Sequence, residues 1–319
     1  NIHEENIIEK LCVGGYVGSI RGASINLDGL VGATGAISKL DVHIMSEYIE
    51  GDKIGSLIVG GVIGNVMDSP ATIKNFSTID LRVNDGSEDA EKSTRKTQKN
   101  TLDQGGTGTP SYTFYYAKVG HFDIGGVVAG AKSDFTYETT VDTIINSANQ
   151  VIEVQAMDDN DSSIGSIIAY YNGGGTNAIN VLANGANILS KAEYAIYNMH
   201  TGSTTENINA GGMIGWKTSL TREANLKGLN RSGKQGYHIY DGAMYIKMDS
   251  TNGTIKDCYR IGGMIGNSNS FGVGYTIFSG VIKIYNEETG GMTFPTCQSE
   301  FRIGGSIGCK NGVSWFEHN

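Results

Sequence analysis

The sequence predicts an all-β fold, a right-handed β-helix built of stacked repeats, and three observations carry that prediction. A Gly-Gly-apolar-apolar-Gly motif returns seven times, a short alternating strand fills each gap between motifs, and glycine supplies 46 of 319 residues against only 3 prolines. Glycine is thus about twice as frequent as its average share of roughly 7%. Charged residues make up 18%. Gly, Ser, Thr and Asn fill the difference, as expected of many short strands joined by many turns.

The motif occupies Val13–Gly18, Val59–Gly64, Ile124–Ala129, Ile164–Ala169, Ala210–Gly215, Ile261–Gly266 and Ile303–Gly308. Its paired glycines are Gly14-Gly15, Gly60-Gly61, Gly125-Gly126, Gly211-Gly212, Gly262-Gly263 and Gly304-Gly305; in the weakened fourth copy Gly165 is followed by Ser166. The first glycines are spaced by 46, 65, 40, 46, 51 and 42 residues. Only the interval of 65 stands out, and it holds the charged stretch Asp85–Gln104. One repeat domain over residues 1–319, with a loop insertion at 85–110, is therefore expected.

The alternating strands are Leu40–Met45, Ile79–Asn84, Gln150–Ala156, Ala192–Met199, Gly242–Met248 and Gly280–Asn286. Period-two alternation sends one set of side chains inward and the other toward solvent. Each repeat then reads as a glycine-rich strand, a turn, an amphipathic strand and a polar return. Glycine weakens a strand, so its repeated use needs a geometric reason: a corner of positive φ, or close approach of neighbouring backbones. Asn172-Gly173, Asn184-Gly185, Asn252-Gly253 and Asn311-Gly312 add turn signals. The mean period of about 48 residues suits two rungs of about 24 each, giving 12 to 14 rungs and a rod roughly 60 Å long. It also suits a propeller blade, but four comparable strands per blade and a Trp-Asp signature are missing.

The motif resembles the GLUG repeat, a Gly-Gly-Leu-Val-Gly run after a short strand. Its nearest matches are Asp257–Gly266 (DCYRIGGMIG) and Gly29-Leu30-Val31-Gly32, with Met or Val in place of the expected Leu in the motif copies. Such repeats occur in large bacterial surface proteins, including filamentous adhesins and non-catalytic regions of secreted immunoglobulin-cleaving proteases. The resemblance implies an extracellular or cell-surface, structural or adhesive role, and it brings no catalytic residues.

The remaining composition narrows the classes. A net charge of −9 argues against nucleic acid as a partner, since that binding relies on basic clusters. The basic run Lys92, Arg95, Lys96 and Lys99 follows Glu88, Asp89 and Glu91, as in a solvated loop. No stretch approaches the 18 or so apolar residues of a membrane span. The chain does not begin with Met and shows no signal peptide, which predicts a processed product or a fragment. The last motif ends eleven residues before the C-terminus. An open solenoid exposes sheet edges at its ends, so continuation into another domain or stacking on another copy is expected.

Four cysteines, Cys12, Cys258, Cys297 and Cys309, lack zinc-ligand spacing. A disulfide between Cys258 and Cys297 and buried free thiols are equally compatible with their placement. Six scattered histidines, His3, His43, His121, His200, His238 and His318, form no metal or catalytic pattern. No cofactor is implied, because a glycine motif repeated seven times without a following helix is not a dinucleotide fingerprint. The acidic run Asp158-Asp159-Asn160-Asp161-Ser162 has oxygen ligands suited to calcium, but Ile164 stands where an EF-hand loop needs glycine. Glu138, Asp142, Glu153, Asp123 and Asp134 are candidate carboxylates for glycoside hydrolysis, with nothing to single out a pair. Sixteen tyrosines suit either exposed contact surfaces or ladders along a solenoid, and they are densest at Ser111–Tyr116 and Tyr170-Tyr171. The expected function is a surface fibre or adhesin shaft that is not an enzyme. It would act by self-association or by binding other surface proteins or glycans. A carbohydrate-active β-helix enzyme and a tailspike-like trimer are the alternatives.

Overall fold

A computed structural model describes residues 7–43, 53–84, 118–146, 151–156, 161–198, 207–248, 258–286, 300–311 and 315–317. Among these residues every regular element is a β-strand. The strands form a seventeen-stranded, a seven-stranded and an eight-stranded sheet. Pairing is parallel apart from a small hairpin at Asn230↔Gln235 and an isolated bridge at Val31↔Thr34.

The second repeat shows the plan. Its motif strand Lys53–Gly60 lies in the first sheet, Ile63–Val66 in the second and Ala71–Lys74 in the third, and the amphipathic strand Phe76–Asn84 returns to the first. In the next repeat the amphipathic segment is two strands, Thr143–Ile145 and Val151–Ala156. The latter pairs with both Phe76–Asn84 (Ile152↔Val83) and the motif strand of its own repeat, Lys118–Gly125 (Ala156↔Val119), which joins the two columns into one sheet.

The register decides how many turns a repeat makes. Val13 pairs with Val59, Val59 with Ile124, Ile124 with Ile164, Ile164 with Ala210, Ala210 with Ile261, and Ile261 with Ile303. Each motif therefore stacks directly on the next, and one repeat is one coil. The expected two rungs of about 24 residues are corrected to a single coil, of four strands in the first two repeats and with its amphipathic strand split in two from the third repeat to the sixth. Seven coils at about 4.8 Å per step span roughly 29 Å, not 60 Å. What read as a turn and a polar return holds two further strands, too short and glycine-rich to show a period of their own. Pairing resumes at Lys53↔Lys118 after the long interval, so its surplus residues lie between Asn84 and Lys118. Asp85–Gln104 itself lies outside the described residues.

Identical positions stack into ladders. Ile63, Val128, Ile168, Ile214 and Ile265 form one in the second sheet, all fully buried. Ile73, Tyr137, Val181, Leu226 and Val273 form another in the third. Burying each such side chain contributes about 1.5–3 kcal/mol against its exposure. Tyrosine serves this interior: Tyr137, Tyr171, Tyr194, Tyr240 and Tyr259 are fully buried. Tyr194, Tyr240 and Phe278 stack along the axis with ring centroids 6.2 and 6.0 Å apart. Where the chain leaves the third sheet, Asn75 turns it at φ 57°. Its side chain donates to Asp28 in the coil before (2.9 Å) and accepts from the Thr140 amide in the coil after (2.9 Å), tying three coils together.

The motif glycines sit at the corner between the first and second sheets. None of them has positive φ, so of the two reasons the sequence allows, close backbone approach is the one used. A Cβ on Gly60 would overlap the carbonyl oxygen of Ile63, within its own corner. A Cβ on Gly61 would overlap the carbonyl oxygen of Gly126 in the next coil and press on the Ile79 side chain. The first glycine closes the corner and the second lets the coils stack.

Opposite the second glycine runs a ladder of Ser38, Ile79, Ile145, Ser190, Tyr240 and Phe278. Large members lie against glycines: Ile145 against Gly126, Tyr240 against Gly212, Phe278 against Gly263. The weakened fourth motif is the compensated case. Ser166 replaces the glycine, the ladder shrinks to Ser190, and the two hydroxyls hydrogen-bond at 2.5 Å with Tyr194 Oη 2.6 Å from Ser166.

Two outcomes follow from this corner. Gly61→Ala should destabilise by about 1–3 kcal/mol through overpacking. Gly305→Ala, where nothing lies within 4 Å of the new Cβ, should be neutral or slightly stabilising; equal losses in chemical denaturation would contradict this account of the corner. Ser190→Ile should destabilise the native chain yet cost less in a Ser166→Gly background. A double-mutant cycle should give a coupling of at least about 0.5 kcal/mol.

Candidate functional site

Alternation along the motif strands points Leu57, Val59, Phe122 and Ile124 into the core, so residues between them face the other way. That outer face carries two ladders, Lys10–Ser56–His121 and Ile58–Asp123–Ser163. The chain turns so sharply at the glycines that the second-sheet strands stand across from this face. Cys12 donates to the Gly18 carbonyl at 2.9 Å across the corner, and Arg302 reaches Cys309 Sγ at 2.9 Å. The facing ladder is Asn65–Gly130–Tyr170–Trp216.

Between the two walls lies a groove of about 640 Å³ that crosses five consecutive coils, from Lys10 to Trp216. One wall offers Lys10, Ser56, His121, Asp123 and Asp161; the other offers Asn65, Lys132, Tyr170 and Trp216. Tyr170 and Trp216 meet with centroids 5.3 Å apart at 55°. Gly130 keeps the floor open between Asn65 and Tyr170, since a Cβ there would come within 3.0 Å of Asn65 Oδ1.

His121 Nε2 lies 3.0 Å from Asp123 Oδ2. Burial disfavours charge on the ring, but the hydrogen bond and charge of Asp123, with the neighbouring Asp161, outweigh it and hold the pKa above its ordinary value. Asp123 is 5% exposed, and its second oxygen, Oδ1, is buried without a hydrogen-bond partner. Such an atom carries a desolvation cost until a donor reaches it. Among the described residues, no group of three or more His, Cys, Asp or Glu side chains is placed to hold a metal ion.

Of the candidate carboxylates, the structure brings Asp123 into the groove and joins it there with Asp161, the last acidic residue of the 158–162 run. Asp158–Asn160 lie outside the described residues. Glu138 pairs with Lys74 at 3.5 Å, Asp142 with Lys234 at 3.3 Å, and Asp134 accepts from the Ala178 amide at 2.7 Å, all away from the groove. The side chain of Glu153 is outside the described residues, as are Tyr112–Tyr116 and Cys297, the partner considered for Cys258. Tyr170 lines the groove, whereas Tyr171 belongs to the core. His121, Lys132 and Trp216 were not singled out by the sequence. The local signal was His121-Phe122-Asp123 in a motif strand, where alternation sets both polar groups on one face.

Comparison with protein-family models, curated proteins and solved structures finds no match. The likeness to GLUG repeats therefore rests on the motif residues alone.

In an NMR titration His121 should titrate above its ordinary value of about 6.5, and Asp123→Asn should lower that pKa. Because the folded value is raised, the stability His121 contributes is complete below about pH 6.5 and is lost as pH rises through the folded pKa. A His121 pKa unmoved by Asp123→Asn would contradict the pairing.

Proposed function

We infer that this chain is an extracellular structural and adhesive repeat protein: the stack is the shaft, and recognition takes place in the groove. The observation that carries this reading is the groove's construction. Its recognition groups come one or two at a time from five successive coils, giving the extended concave surface through which solenoids bind. The likeness of the motif to GLUG repeats of bacterial surface proteins supports the setting.

A second reading, cleavage of a polysaccharide, is favoured by one feature: His121, Asp123 and Asp161, all general acid–base types, meet in the groove. Release of reducing ends from a polysaccharide, abolished by Asp123→Asn, would replace binding by turnover.

For the adhesive reading, beads coated with the full chain should aggregate with one another or be retained on cell surfaces. Beads coated with an inert acidic protein of similar charge should do neither. Equal behaviour of the two bead types would remove the reading.

A further inference from the structure

We propose, building on that reading, that the groove takes an extended, unbranched, neutral glycan laid along the stacking direction, with one pyranose ring on the Tyr170–Trp216 pair. Four features of the groove converge on this ligand class.

The first is the pairing of an aromatic surface with hydrogen-bonding groups of both signs. The C–H face of a pyranose carries slight positive charge and fits the negative face of an aromatic ring. Its hydroxyls both donate and accept, so they serve the Asp123 and Asp161 carboxylates and the Lys132 ammonium together. Lys10, Lys132 and the His121 ring stand against Asp123 and Asp161, a mixed lining that suits a neutral polyhydroxyl chain better than a polyanion or polycation.

The second is the spacing. Groups on successive coils repeat about every 4.8 Å, comparable to the advance of one pyranose in an extended chain. An extended peptide presents same-face side chains about every 6.6 Å and would fall out of phase with the coils.

The third is size. A groove of about 640 Å³ lies within the range of about 300–1,000 Å³ for small-molecule sites and accommodates a few sugar units. The fourth is Gly130, in register between Asn65 and Tyr170, whose missing side chain leaves room on that wall for a ring to lie against it.

The test is titration of the full chain with cellohexaose, chitohexaose and hexagalacturonate, followed by calorimetry and tryptophan fluorescence. At least one of the two neutral hexasaccharides should bind, and about tenfold more tightly than its disaccharide. Trp216→Ala should weaken that binding about tenfold or more. Lys132→Ala, a change at an exposed side chain, should weaken it while leaving the melting temperature unchanged, which guards against misfolding of the tryptophan variant. The proposal is overturned if neither neutral hexasaccharide binds at millimolar concentration, if hexagalacturonate alone binds, or if both variants keep native affinity. Oligosaccharide binding without bead adhesion would remove the adhesive role and leave the groove's ligand standing. Adhesion without oligosaccharide binding would do the reverse.

Discussion

Everything in this fold depends on how closely one coil's backbone approaches the next at the Gly-Gly corner. Amides and carbonyls of successive corners bond directly, as in Gly61 N to Gly125 O at 3.0 Å and Val62 N to Val127 O at 3.0 Å. A side chain at the second glycine would stand where the next coil's carbonyl oxygen sits. The cost of glycine in a strand is thus offset by the backbone hydrogen bonds that Gly15, Gly61, Gly126, Gly212 and Gly263 make to neighbouring coils at the tightest bend. At Ser166, the one such position that carries a side chain, a smaller residue opposite, Ser190, makes room for the hydroxyl.

Once the corner stacks, the rest of the coil is held in register with it. Positions three residues past the first glycine fall above one another, so a single apolar choice is repeated as the Ile and Val ladder of the second sheet. Farther along, where the coils differ in length, backbone pairing restores the register and the rings of Tyr194, Tyr240 and Phe278 stack along the axis. Tyr137, Tyr171, Tyr194, Tyr240 and Tyr259 are absorbed by this interior. Tyr170, which reaches the surface beside Trp216, acquires meaning from what surrounds it.

The same sharp corner creates the groove. A strand's outer face ordinarily meets solvent, but here the chain turns back and sets the second sheet across from it. Side chains that alternation assigns to the outside, such as Asp123 at 5% and Asn209 at 0% exposure, are buried as a result. Asp123 and Asp161 in that position raise His121's proton affinity, and Asp123 Oδ1 is buried without a hydrogen-bond partner. The geometry that stacks the coils therefore also builds the groove.

The stacked all-β architecture, the places of the seven motifs and the six amphipathic strands were legible in the sequence. One steric requirement recurs in every coil and leaves glycine at a fixed phase, and one buried face per strand leaves an alternating pattern. The number of coils per repeat was not legible, because strands as short as Ile63–Val66 and Val128–Ala131 carry no period that can be separated from a turn. The groove was legible only in part. Alternation places His121 and Asp123 on one face, but nothing local states what stands opposite that face. Lys10 and Trp216, 206 residues apart, share a wall-to-wall groove only because the coils stack and the corner folds back. That is a property of pairing between distant backbones, and no segment of the chain contains it alone.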